Sequence, residues 1–196
     1  MRYAMLGRTG LVVSRLAFGA MTFTAGNKDI GAVYKVGADL ADTLVGRALE
    51  RGVNFFDTAD GYAGGESETL LGRTLRTHRD DVVIATKVGF RTGPALTQAG
   101  LSRRHICWSV EQSLKRLGTD WIDVYIAHRE DPYTPLEETL SALDAIVRSG
   151  KVRLPRILEL VGLAGFGRPG DPAGQRTRAV HPRPDALLAA RPGCRA

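Results

Sequence analysis

The sequence predicts an α/β fold built on a parallel sheet, and three observations lead to this prediction. Short apolar runs alternate with amphipathic helical patterns through residues 1–153, and several of the helical patterns end on glycine. The unit of strand, helix and glycine recurs at roughly 30 to 40 residues, the rhythm of right-handed βαβ units. The runs are apolar at consecutive positions, which is typical of strands covered on both faces. Either an open doubly wound sheet or a (β/α)8 barrel fits this pattern.

The first elements are a hairpin, a strand, a helix and a second strand. GRTG supplies a turn between YAML and LVVS, and residues 16–19 follow as an apolar strand. The segment after that strand reads FGAMTF, without the G-x-G-x-x-G turn that would favour the open type of sheet. Residues 39–51 place Leu40, Leu44 and Ala48 on one helical face, and Gly52 ends the helix before a strand over residues 53–57.

The later elements continue the alternation. A short helix is predicted over residues 67–75 and strands over 82–87 and 122–128. Ser102 is the predicted N-cap of a long helix that ends at Gly118. Its apolar face contains Ile106, Val110, Leu114 and Leu117. Thr134-Pro135 with Glu137 predicts a capping box for a last helix, which ends at Gly150. The residues expected on its buried face are Leu136, Leu140, Leu143 and Val147.

Composition narrows the class of protein. Of the 196 residues, 43% are hydrophobic and 24% charged, as in soluble globular domains, and no run is long enough to span a bilayer. The two cysteines, Cys107 and Cys194, lack metal-ligand or disulfide spacing, so we expect a reducing cytoplasm. The net charge of +6 lies mainly in residues 154–196, which hold seven arginines and three acidic residues but only one aromatic residue. Nucleic-acid binding is therefore disfavoured.

Polar residues stand where successive predicted strands end. Asp57, Lys87 and His128 each close a strand, and Tyr62 follows in the loop after the first of them. Because the carboxyl ends of parallel strands form the functional face of α/β folds, we expect these groups to converge on one rim. An isolated phenol has a pKa of about 10, and a neighbouring ammonium lowers it, while a carboxylate keeps the ammonium charged. Together they form a set suited to proton transfer.

Each of these residues also has an ordinary structural explanation when taken alone. Asp57 could close an Asx turn, and Tyr62 could be an amphipathic plug with its hydroxyl in water. Lys87 could extend from the strand end toward solvent, and His128 could be a hydrogen-bonded structural histidine. These explanations lose weight jointly, because they do not account for all four groups meeting at the same edge.

The motifs resemble the N-terminal half of an aldo-keto reductase, in the bacterial and potassium-channel-β-like branch of that family. NFFDTADGY followed by GESETLLG is similar to the first family signature, VVIATKVG to the segment with the family lysine, and IDVYIAHREDPYTPLEETL to the segment with the histidine. The opening MRYAMLGRTGLVVSRLAFGAMTF is similar to the family's barrel-plugging hairpin and first strand. The resemblance covers residues 1–153 and implies an incomplete (β/α)8 TIM-type barrel, with about the first four βα units after the hairpin.

The resemblance also implies a reaction and roles for residues. It implies reduction of a small-molecule aldehyde or ketone with NADPH. Tyr62 would be the general acid, Lys87 the group that strengthens the acid, Asp57 its counter-ion and His128 the residue that orients the carbonyl. Gly19, Ala20 and Met21, with Asp57, would contact the cofactor. A cofactor-sensing, non-catalytic subunit of the channel-β type is a second hypothesis, and an inactive truncated product is a third. The substrate, the preference for NADP over NAD and the oligomeric state stay open.

The resemblance stops after GKVR, at residue 153. The remaining segment, residues 154–196, is rich in proline, arginine and glycine, and we expect it to be irregular. Degenerate codons permit LPRILELVGLA, read one nucleotide later, to give YLGFSNWSAW, which resembles the family's fifth strand. VHPRPDALLA can likewise be re-read as FTHGQMHYSL. These two matches favour an out-of-frame tail, in which case the cofactor contacts of the second half of the barrel would be lost.

Overall fold

The protein contains a two-stranded antiparallel hairpin and a five-stranded parallel sheet. The computed structural model describes residues 1–24, 26 and 35–157. The strands are β1 Tyr3–Met5, β2 Val12–Ser14, β3 Phe18–Gly19, β4 Phe55–Asp57, β5 Val83–Val88, β6 Ile122–Ala127 and β7 Val152–Ile157. The helices are α1 Ala38–Glu50, α2 Glu66–Leu75, α3 Arg103–Leu117 and α4 Leu136–Arg148. One helix stands between each pair of successive parallel strands.

The order of the strands decides between the two sheet types that the sequence left open. The parallel strands follow one another in space as they do in the chain, β3-β4-β5-β6-β7. A doubly wound sheet reverses its strand order at a switch point, whereas a (β/α)8 barrel does not. The described residues therefore form five strands and four helices of the barrel arrangement.

Strand alternation separates two apolar clusters, one on each face of the sheet. On one face, Ile84 and Tyr125 belong to the large core cluster with the helices, to which Ile106 of α3 contributes. On the opposite face, Val83, Ala85 and Val124 pack with Val13 of the hairpin. The first face is the helix side of the sheet and the second is the inner side.

The hairpin is joined to the amino end of the sheet by the side chain of Asn54. Asn54 Oδ1 accepts a hydrogen bond from Ser14 N at 2.7 Å, and its Nδ2 donates to Val12 O at 3.1 Å. Tyr3 Oη adds a bond to Gly52 O at 2.9 Å. Gly52 and Asn54 both lie just before β4, so the hairpin lies at the amino end of the parallel strands.

The long helix α3 agrees closely with its prediction. Ser102 is the N-cap, and its hydroxyl accepts a hydrogen bond from His105 N. Gly118 ends the helix in the left-handed conformation, at φ 65°. All four predicted face residues are buried, because their spacing turns one stripe toward the sheet. The residues concerned are Ile106, Val110, Leu114 and Leu117.

The faces of α1 and α4 differ from the prediction. In α1 the buried residues are Ala41 and Val45, while Leu40 is 41% exposed. In α4 the buried face is rotated toward smaller side chains. Leu143 is on that face as predicted, but Leu136 is 57% exposed. The buried residues of α4 are Thr139, Ala142, Leu143 and Ile146.

The capping box predicted for α4 is wrong. The N-cap is Pro135, without a side-chain cap, and the helix begins at Leu136. The hydroxyl of Thr134 donates instead to Asp131 Oδ2 at 2.7 Å. Asp131 also accepts a hydrogen bond from Leu101 N. The loop before α4 therefore binds the Thr134 hydroxyl that a capping box would need.

Regular structure continues past residue 153, because β7 extends to Ile157. Its register pairs Val124 with Leu154 and Ala127 with Ile157. Ile122 N donates to Lys151 O at 2.9 Å, and continued alternation would direct an amide at position 155 toward Val124 O. Pro155 has no amide hydrogen, so the ladder is interrupted there. Most of the predicted irregular tail, residues 158–196, lies outside the described residues.

Candidate functional site

Three of the predicted site residues lie at the carboxyl ends of neighbouring strands. Asp57 is the last residue of β4, Lys87 lies near the end of β5, and His128 directly follows β6. Asp57 pairs with Ala85 across the first strand boundary, and Lys87 pairs with Ile126 across the second. Residues 55, 57, 83, 85 and 87 alternate onto the inner face, so the side chains of Asp57 and Lys87 project to the same side of the sheet.

Lys87 is the centre of the site. It is only 7% exposed, and an ammonium so buried must be paired. Its Nζ donates to Asp57 Oδ2 at 2.6 Å, to Thr58 O at 2.8 Å and to Tyr62 Oη at 3.3 Å. These three acceptors use the three hydrogens of the ammonium. Lys87 therefore lies between Asp57 and Tyr62.

Tyr62 begins a 3-10 turn over Tyr62–Gly65 that leads into α2. Three successive residues after it have positive φ: Ala63 at 50°, Gly64 at 64° and Gly65 at 95°. The run of glycines makes this path possible, because residues with a Cβ rarely adopt it. The turn brings the phenol back over β5, where Lys87 Nζ is 4.9 Å from the ring centroid.

His128 faces Tyr62 from the next strand. Their ring centroids are 5.9 Å apart in an edge-to-face arrangement. Burial lowers the pKa of His128 below its usual value, and the Lys87 ammonium lowers it further, against the opposing effect of Asp57. The imidazole is therefore neutral at neutral pH. Its Nδ1 is buried and has no hydrogen-bond partner among the residues that the structure describes.

The residues predicted to contact a cofactor include three neighbours of Asp57. Two of these three, Gly19 and Met21, are accessible. Gly19 pairs with Asp57 across β3 and β4, and a Cβ built at Gly19 would meet nothing within 4 Å. Met21 is 43% exposed. Ala20 differs, because it is fully buried, its amide donates to Asp57 O and its carbonyl accepts from Ser67 Oγ. Gly19, Met21 and Asp57 thus fit an open cofactor edge, while Ala20 holds the strand ends together.

Sequence reasoning missed Phe90, which lies next to the site. Its ring is 4.8 Å from that of His128, edge to face, and it is 41% exposed. The guanidinium carbon of Arg129 lies 5.3 Å from the centroid of the Phe90 ring. An aromatic residue three positions after the strand-end lysine was the available signal.

Sequence reasoning also missed a layer of buried polar groups on the helix side of the sheet. Asp60 is 1% exposed and accepts a hydrogen bond from Ser109 Oγ at 2.7 Å. Glu68 is fully buried and forms an ion pair with Arg116. No periodic pattern marks such residues, because the sequence does not distinguish a buried charged side chain from a solvent-exposed one.

The fold and the site together define a class: a protein of the (β/α)8-barrel type whose polar residues meet at the carboxyl rim of the strands. Comparison with known families gives the same assignment over most of the described chain. Residues 15–155 match the Aldo/keto reductase family. This chain belongs to the Aldo/keto reductase family.

Curated relatives are similar over the same part of the chain. A probable voltage-gated potassium channel subunit beta from Arabidopsis thaliana is 40% identical over 153 residues, which are 76% of this chain and 44% of that protein. A putative subunit of the same kind from Schizosaccharomyces pombe is 39% identical over 155 residues, covering 76% and 42%. The chain thus spans less than half the length of these relatives.

A solved structure supports the fold. The holo form of aldo-keto reductase AKR11C1 from Bacillus halodurans superposes with a TM-score of 0.67 at 33% identity, over 80% of this chain and 50% of that one. Among the described residues, no helix is long and apolar enough to cross a membrane.

Proposed function

We propose that this chain carries the proton-transfer site of an NADPH-dependent reductase that converts aldehydes or ketones to alcohols. The observation that supports this most is the position of Lys87 Nζ, which bonds both Asp57 Oδ2 and Tyr62 Oη. A structural lysine at a strand end would extend into solvent, whereas this one is buried and fully paired. We expect the protein to act in the cytoplasm.

Tyr62 is the proposed general acid. The ammonium of Lys87 donates to the phenol oxygen and has no capacity to accept, so it leaves the phenol hydrogen free for a substrate oxygen. As that hydrogen leaves, negative charge develops on the phenol oxygen 3.3 Å from the ammonium, which stabilises it. Asp57 pairs with the ammonium at 2.6 Å and keeps it in position.

His128 is the proposed orienting donor for the carbonyl. Its lowered pKa keeps the imidazole neutral at neutral pH. A neutral imidazole has one N–H to donate and is too weak an acid to replace the phenol as proton source. Its buried Nδ1 has no partner within the described part of the chain, so the ring keeps hydrogen-bonding capacity.

NADPH, when bound, supplies the hydride. Gly19, Met21 and Asp57 are the residues of this chain that would hold it, since they are accessible and adjacent at the ends of β3 and β4. Phe90 would cover the apolar part of a substrate, because its edge faces His128 while part of its ring is open to solvent.

The test is Tyr62→Phe, assayed by carbonyl-dependent NADPH oxidation. We expect kcat to fall by about 10²-fold or more, because general acid catalysis supplies roughly 10²–10⁴, while NADPH affinity changes little. Tyr3→Phe is the matched control, since it removes a phenol of the hairpin that donates to Gly52 O, away from the rim. The assay compares the chain as given with a chain restored to the re-read frame after residue 153. Wild-type kcat in Tyr62→Phe of an active chain would exclude Tyr62 as the acid.

Two alternatives remain as outcomes of the same assay. An inactive truncated product stays a hypothesis for the sequence as given, because degenerate codons permit the segment after residue 153 to be re-read as a family-like continuation. Turnover only in the re-read chain, together with a single-base insertion around codons 150–160, would establish it. The relatives' description as channel beta subunits favours a cofactor-sensing subunit. NADPH binding without turnover of any carbonyl in the re-read chain would support that role.

A further inference from the structure

Glu68 is a buried carboxylate on α2 with one donor for each of its oxygens. It is fully buried, and Oε1 accepts from Thr86 Oγ1 at 2.5 Å. Oε2 accepts from Arg116 Nε at 2.6 Å. A buried charge is costly unless it is paired, so this carboxylate holds both donors in fixed positions. It thereby links β5, α2 and α3.

The two donors lie next to Lys87 and to the turn that carries Tyr62. Thr86 directly precedes Lys87 on β5, and strand alternation directs its side chain to the helix side while Lys87 projects inward. Arg116 lies against the turn that carries Tyr62. A Cβ built at Gly65 would be 2.6 Å from Arg116 Cδ and 2.7 Å from Nε, so the arginine stem rests directly on the turn backbone.

The Tyr62 turn needs such support. Its residues Ala63, Gly64 and Gly65 all have positive φ, and Tyr62 N donates to Ala59 O in the preceding loop. The distance from Lys87 Nζ to Tyr62 Oη, 3.3 Å, is the longest of the three lysine contacts. A small displacement of the turn would break it first.

We propose that Arg116 and Glu68 are positioning residues, which set the Tyr62 turn against β5 and so hold the phenol within reach of Lys87. Neither side chain touches the reacting groups; both act through Gly65 and Thr86. The catalytic part of this statement rests on the proposed function, whereas the geometric part stands on the contacts described.

The test uses the full chain with Arg116→Met, which keeps the apolar stem on Gly65 but removes the ion pair. Arg116→Lys is the conservative variant. Arg73→Met is the matched control. Arg73 lies in the last turn of α2 and forms an exposed ion pair with Asp42 of α1, away from the Tyr62 turn. Amide hydrogen exchange is followed at Tyr62 and at Glu66, whose amides are hydrogen-bonded at the two ends of the turn.

We expect Arg116→Met to speed exchange at Tyr62 and Glu66 about tenfold or more, because the side chain against Gly65 is then no longer fixed by Glu68. The β5 amides should be unchanged, because their bonds to the neighbouring strands stay in place. Arg116→Lys should restore part of the protection, and Arg73→Met should match wild type. Equal exchange in Arg116→Met and Arg73→Met would overturn the proposal, as would equal acceleration in β5. If Arg116→Met does not fold, the same comparison is made between Arg116→Lys and Arg73→Met, and only Arg116→Lys should then show faster exchange at Tyr62 and Glu66.

In a chain that reduces a carbonyl, Arg116→Met should lower kcat roughly 10- to 100-fold, because displacements of about an ångström cost that much. NADPH affinity should not change, and Arg116→Lys should recover part of kcat. Unchanged kcat in the presence of faster turn exchange would overturn the positioning role. If no form reduces a carbonyl, the proposed function fails, while the exchange comparison still decides the geometric claim.

Discussion

Replacing Asp60 by asparagine should change how the stability of the protein depends on pH. Burial raises the pKa of Asp60 from 3.8 to about 7, and the nearby Glu68 charge raises it too, against the Ser109 hydrogen bond and Arg116. The folded protein therefore keeps a proton that the unfolded chain releases above pH 3.8. The stability contributed by the neutral carboxyl is complete below pH 3.8 and is lost as pH rises to about 7.

The size of this effect follows from the width of the window. Each unit of pKa difference corresponds to about 1.4 kcal/mol, so the window from 3.8 to about 7 gives a loss of up to about 4 kcal/mol. An asparagine is neutral throughout, and its carbonyl oxygen can still accept from Ser109 Oγ. The variant should therefore be close to wild type near pH 4 and more stable above pH 7.

The assay is urea unfolding of wild type and Asp60→Asn at several pH values from 4 to 8. The difference between the two unfolding free energies is the relevant quantity, because contributions of the other titrating groups cancel in it. Asp42→Asn, which removes an exposed carboxylate on α1, controls for the loss of one surface charge. A difference that stays constant from pH 4 to pH 8 would refute the reasoning.

Three further predictions concern the site, the packing and the sheet edge. Lys87→Met should lower kcat by about 10²-fold or more in a chain with carbonyl reductase activity, because the phenol loses the charge that stabilises its anion; an unchanged kcat would contradict the role of Lys87. Gly72→Ala should destabilise the protein by about 1–3 kcal/mol, because the added Cβ would lie close to the Leu117 carbonyl and push α2 away from α3. An unchanged thermal unfolding temperature would show that the two helices can shift apart freely. Pro155→Leu should add about 1 kcal/mol by restoring a ladder hydrogen bond to Val124 O, and the new amide should be protected from exchange; fast exchange at position 155 would show that β7 is not paired there.

The sequence predicted those parts of the fold whose signals are local and repeated. Strand ends followed by helical patterns located Asp57, Lys87 and His128, and the structure brings their side chains to one rim. The α3 face was correct because four large apolar residues mark it. The α4 face was not, because Thr139 and Ala142 are small and carry little hydrophobic signal, whereas the large Leu136 is exposed.

Other features depend on tertiary contacts that no local pattern reveals. Thr134 could cap a helix, but Asp131 takes its hydroxyl. The proline-rich segment after residue 153 was expected to be irregular, yet β7 pairs with β6 as far as Ile157. Glu68 reads as an exposed helical acid, and it is buried only because Thr86 and Arg116 arrive from other elements to pair with it.

The attachment of the hairpin through Asn54 has a practical consequence for handling the protein. The N-terminus leads directly into β1, which lies at the end of the strands opposite to Tyr62 and Lys87. A fusion partner, fluorophore or surface tether joined ahead of Met1 would therefore sit on the far side of the molecule from the rim. Immobilised in this orientation, the protein would expose the rim with Tyr62 and Lys87 to the solution, which suits ligand-capture measurements on a sensor surface.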